Sequence, residues 1–148
     1  MGRRAIVVGL LICLAWGGLA EAAGKNVRYS GKSGQGKKVV LLTDSGGEAK
    51  RFSIHFKAVC GRGFLEDAIQ RFVRPLRHAD EDGFRDGGTY DHNYSKGRKA
   101  EIRTRVAGER AGRGRFEGTF SFKGKYFTAG GEKITTCRTA EIHWSAGR

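Results

Sequence analysis

Phe52-Ser53-Ile54-His55-Phe56-Lys57-Ala58-Val59-Cys60 decides the fold. In an extended chain Phe52, Ile54, Phe56, Ala58 and Cys60 fall on one side, and Ser53, His55 and Lys57 on the other. That period of two belongs to a half-buried strand; a helix would scatter the same residues around its axis. The pattern recurs at 100–106, where Ala100, Ile102, Thr104 and Val106 oppose Glu101, Arg103 and Arg105. It recurs again at 116–122, with Phe116, Gly118, Phe120 and Phe122 on one face. Shorter runs at 27–29, 38–43, 126–128 and 142–145 also suit strands. One apolar and one wetted face imply antiparallel sheets packed over a shared core. The expected fold is therefore all-β, a single antiparallel β-sandwich of seven or eight strands. Residues 64–73 allow a second reading. Leu65, Ile69 and Phe72 lie at i, i+4 and i+7, so a short helix ended by Pro75 competes there with a strand.

Composition narrows the class. The chain has 148 residues, 24 glycines and one proline, which excludes collagen-like and proline-rich architectures. Hydrophobic residues make up 39%, too many for a disordered basic tail. Glycine pairs such as Gly46-Gly47, Gly87-Gly88 and Gly130-Gly131 separate the alternating runs, so the glycines are expected at hairpin turns.

The first segment reads as an export signal. Basic Arg3-Arg4 precedes an uncharged apolar run, and Ala20-Glu21-Ala22 fits the small-x-small cleavage pattern. The sixteen residues 5–20 fall short of a bilayer span, which takes about 20. Cleavage after Ala22 divides the chain into a signal peptide, 1–22, and one domain, 23–148, with no transmembrane segment remaining. Arg3-Arg4 also leaves a twin-arginine route open. Loss of Arg3, Arg4 and Glu21 changes the net charge only from +13 to +12, so the basic character belongs to the mature domain. The expected location is secreted, periplasmic or cell-envelope.

Export also changes how the cysteines read. Cys13 leaves with the leader, and the two that remain, Cys60 and Cys137, are expected to form one disulfide. Neither has a second cysteine at metal-binding or redox spacing.

At this point the residues resemble a family. Tyr29-Ser30-Gly31-Lys32-Ser33-Gly34-Gln35-Gly36-Lys37 is similar to the Y-S-G-K-[ST]-x-Q-x-K opening of an uncharacterised family of small exported bacterial all-β domains. Cys137 to Ala146 resembles their C-x-T-G-x-x-x-W-x-A close, with Ala140 in place of the usual glycine. The strand ending in Cys60 and the turn Asp82-Gly83-Phe84 are similar too, and a long polar insert precedes Tyr94. The resemblance implies fold and export, and no catalytic residue.

Motifs for chemistry are sparse. Gly31 to Lys38 nearly spells a phosphate-binding loop, but Lys38 stands where a magnesium-binding hydroxyl belongs. The apolar Val39-Val40-Leu41-Leu42 that follows is strand-like rather than a helix start. The 80–91 stretch offers Asp80, Asp82 and Asp86 as calcium ligands, without the closing glutamate of an EF-hand. His78 and His92 are a divalent-metal candidate with no third ligand, and the expectation is solvated turn residues and no metal site. His55 and His143 sit in strand-like runs and are expected to be packed or surface residues. No G-x-S-x-G elbow and no paired carboxylates on an inner strand face support a hydrolase. The chain is therefore expected to be no enzyme and to need no cofactor.

The basic residues are the strongest functional signal. Arg103 and Arg105 share one strand face, and Arg113 and Arg115 are expected to continue it across a hairpin at 108–112. Such a face would hold polyanions. Outside the cell these are acidic polysaccharides or anionic envelope polymers, with no nucleic acid expected. The alternative is a carbohydrate-binding module presenting Tyr90, Tyr94 or Tyr126.

Overall fold

A computed structural model describes residues 25–148 except positions 74 and 81, so the expected leader and its cleavage point lie outside the described residues. Ten strands follow one another: β1 Val27–Ser33, β2 Lys38–Thr43, β3 Ala49–Cys60, β4 Phe64–Phe72, β5 Arg77–Asp80, β6 Gly83–Asn93, β7 Lys99–Arg110, β8 Arg115–Phe127, β9 Lys133–Arg138 and β10 Ile142–Gly147. All their pairings are antiparallel. The all-β expectation is met, with ten strands rather than seven or eight.

The strands belong to one hydrogen-bonded sheet instead of two separate ones. Two strands change partner along one edge and so turn corners. β3 leaves β2 and meets β9 at Val59 and Cys60. β8 pairs with β10 over Arg115–Phe120 and with β9 over Lys123–Phe127. The pairings therefore close a ring through β1, β2, β3, β9, β8 and β10. Two wings extend from it: β4 on β3, and β7, β6 and β5 on β8.

Residues 64–72 form a strand, and a bulge explains their helical look. β4 runs beside β3 from Phe72 opposite Phe52 to Phe64 opposite Val59, with a register shift near Phe56. Asp67 takes a positive φ of 48° there. The extra residue puts Leu65 and Phe72, seven apart, toward the same core, an odd spacing no regular strand gives.

Glycine has two jobs. Gly46-Gly47 and Gly130-Gly131 lie in connections between strands as expected. Gly87-Gly88, expected at a turn, instead lie inside β6, because that strand pairs with β7 along its whole length. Gly118 and Gly31 lie inside strands where the backbone of a neighbouring strand comes close. A Cβ on Gly118 would stand 2.0 Å from the Ala107 carbonyl oxygen, and one on Gly31 would stand 1.9 Å from that of Ser145. Strand glycines of this kind let a sheet bend at a corner.

The inward faces form one core. Phe52 contacts Trp144 at a centroid distance of 4.9 Å, Phe56 meets Phe120 and Phe122 at 5.1 and 4.8 Å, and Tyr29 sets its edge on Phe116 at 4.9 Å. Cys60 and Cys137, opposite one another on β3 and β9, are disulfide-bonded as expected, at the point where the ring is held by only two residue pairs.

Candidate ligand-binding surfaces

Strand register brings together residues the sequence holds far apart. On the inner face of β6 to β8, Tyr90 lies opposite Ile102, and Tyr126 opposite Ala100. His92 and Tyr94 continue the row, their rings 4.5 Å apart edge to face, and the Tyr94 and Tyr126 rings are 6.1 Å apart. Facing them across a gap is β4, whose far edge, like that of β6 beyond Arg85, has no strand partner among the described residues. The result is a cleft of about 570 Å³, floored by Phe56, Ile102 and Phe122 and walled by Leu65, Ala68 and Ile134.

The cleft is apolar in its depth and polar at its rim. Tyr90 Oη donates to Gln70 Oε1 at 2.9 Å across the opening. Burial raises the Tyr126 phenol to about 12, and the neighbouring Tyr94 adds to the effect. Burial likewise raises Tyr90. Both phenols are therefore neutral donors at ordinary pH. Arg98 and Lys99 close one end of the cleft, just after a short 3-10 turn at Ser95–Gly97. Of the seven large apolar side chains exposed among the described residues, Ile69, Tyr90, Tyr94 and Ile134 line this one cleft. The three tyrosines named from the sequence thus converge, a meeting that only register makes visible.

The outer face of the same strands carries charge. Arg103 lies opposite Lys123, and Lys123 opposite Arg138, so three cations cross β7, β8 and β9 in one row. Arg105 follows two residues along, and Arg77 and Arg85 oppose each other on β5 and β6. Arg77, Arg85, Arg103 and Arg105 line one groove. Among the described residues the ion pairs involve other cations, Lys37, Lys50, Lys57, His78, Arg110, Arg115 and Lys125. The four expected arginines do not all meet. Arg103 and Arg105 share the face, whereas Arg113 sits in the β7–β8 turn. Arg115 lines a separate groove, 3.5 Å from Glu117.

That separate groove holds a carboxylate pair which the sequence reading missed. Glu109 and Glu117 are cross-strand partners on the outer face, beside Lys32, His143 and Ser145.

The acidic stretch is dispersed. Asp82 faces Arg110 at 3.6 Å, and Asp86 accepts from the Gly87 amide at 2.7 Å. His78 bonds Glu48 at 3.0 Å, far from His92 on its tyrosine. Among the described residues no three His, Cys, Asp or Glu side chains gather as metal ligands. The phosphate-loop look-alike is the β1–β2 hairpin, where Gln35 bonds the backbone of Lys57 in both directions. No described helix is long and apolar enough to cross a membrane. No family model and no curated protein matches the chain.

Proposed function

We propose that the protein is an exported binding module that holds anionic envelope polymers or acidic polysaccharide on the outer face of β5 to β9. The observation that carries this is the row Arg103–Lys123–Arg138. Like charges directly opposite on neighbouring strands destabilise a sheet. Here three stand about 5 Å apart from strand to strand with no acid between them. A fold that keeps such a row gains nothing from it structurally, and a polyanion laid across the strands would neutralise it. Arg105, Arg85 and Arg77 extend the same field toward the sheet edge.

The leader at 1–22, the disulfide and the resemblance to exported bacterial β-domains all support a location outside the cytoplasm. There the polymers available are acidic glycans and envelope components. Heparin affinity at rising salt tests the reading. The protein should elute at high salt, and the double variant Arg103→Glu/Lys123→Glu at markedly lower salt. Equal elution of both proteins would sink it.

A further inference from the structure

We propose that the cleft between β4 and the inner face of β6 to β8 binds an amphiphile with an apolar tail and an anionic head. This site lies on the opposite face of the strands from the basic row and stands independently of it.

Three observations converge. First, the cleft abuts the core, and the buried Phe56, Ile102 and Phe122 form its floor. Second, the walls leave apolar side chains in water. Ile134 is 52% exposed and Tyr90 41% exposed, a cost that an apolar occupant would remove. Third, the polar groups stand at the rim. Arg98 and Lys99 are exposed at one end, without a carboxylate partner among the described residues. Gln70 and Tyr90 are already bonded to each other.

This distribution selects the chemistry of the occupant. A sugar pressed into the cleft would bury hydroxyls against Leu65, Ala68 and Ile102, which cannot bond to them, and each unpaired hydroxyl costs free energy. An alkyl chain loses nothing there. Its head, emerging at the end where β7 begins, meets two cations. The volume of about 570 Å³ is within the range that takes one small ligand. The required ligand is thus a single-chain acid, either a fatty carboxylate or an alkyl phosphate.

Calorimetric titration of the oxidised protein tests this with dodecanoate, dodecyl phosphate and dodecyl maltoside, each below its micelle concentration, and with a neutral oligosaccharide. The two anionic amphiphiles should bind one per chain, and the tighter of them identifies the head group. Ala68→Trp fills the cleft and should weaken both by about tenfold or more. Ile134→Trp, at an exposed position, blocks the same cleft should the first variant not fold. Arg98→Glu/Lys99→Glu should weaken the acids and leave the maltoside unchanged. Arg103→Glu/Lys123→Glu on the outer face should leave both acids unaffected, so failure here and failure of polymer binding are separable. The proposal is overturned by no saturable binding of either acid, by maltoside binding as tightly, or by the oligosaccharide occupying the cleft instead.

Discussion

Tyr90 Oη and Gln70 Oε1, 20 residues apart in the chain, meet at 2.9 Å and tie the free edge of β6 to the free edge of β4. No backbone ladder joins these edges among the described residues, so the side-chain bond is the strap across the cleft. Tyr90→Phe keeps the ring and removes the bond. An exposed hydrogen bond of this kind contributes about 0.5–1.5 kcal/mol. The thermal midpoint should fall only slightly, while amide exchange in β4 should quicken more than in β3. Uniform exchange in both strands would show that the strap does not hold the wing.

The ring depends on Cys60 and Cys137, because β3 and β9 share only two residue pairs. Their bond closes a loop with a sequence separation of 77, which in the chain-entropy model stabilises by about 4–5 kcal/mol. Reduction, or Cys60→Ser/Cys137→Ser, should therefore lower the midpoint of thermal unfolding substantially. An unchanged midpoint would mean that the β9 junction holds without it.

How much of this was legible in the sequence follows from where water lies. β3 alternates because one face is core and the other solvent, and it was readable residue by residue. β6 was not. From Gly88 to Asn93 every residue is exposed, so no apolar periodicity marks it, and its aspartates and glycines look like a loop. β4 was ambiguous because the bulge at Asp67 shifts its inward residues to a helical spacing. The sequence named members of both surfaces but not their extent, for one shared reason. Arg138 joins Arg103, and Tyr126 joins Tyr90, only through the registers of β6, β7, β8 and β9, and register is a property of pairs of strands. Arg113 falls in the β7–β8 turn, and Arg115, on the same outer face as Glu117, stands at the far end of β8 from Lys123 and lines a different groove.

Gly118 tests the corner directly. A methyl there would strike the Ala107 carbonyl oxygen and the Gly108 Cα, which are backbone atoms that cannot rotate away. Gly118→Ala should cost more than the roughly 1–3 kcal/mol of ordinary overpacking and leave little folded protein. Gly130→Ala, with only the Thr128 hydroxyl within 4 Å, should be nearly neutral. Denaturant midpoints compare the two. Similar losses in both would remove the claim that the corner needs glycine.

Tyr126 links the cleft to alkaline stability. Its phenol ordinarily ionises near 10.0, and burial with Tyr94 beside it raises this to about 12. Below pH 10 the folded and unfolded chains both keep the proton, and the stabilising difference is fully present. Between pH 10 and 12 the unfolded chain releases it first, so unfolding is favoured progressively and stability falls as pH rises through the folded value. Tyr90, raised in the same direction by burial, adds to the same slope. Denaturant midpoints just below pH 10 and near pH 12 should therefore diverge in the native chain and diverge less in Tyr126→Phe. Phenolate absorbance supplies an independent check, since the ionisation near 12 should be missing from the variant. A tail lodged over Tyr126 would deepen its burial, so saturation with dodecanoate should push the Tyr126 ionisation higher still. An unaltered titration in the presence of bound dodecanoate would place the ligand elsewhere on the protein.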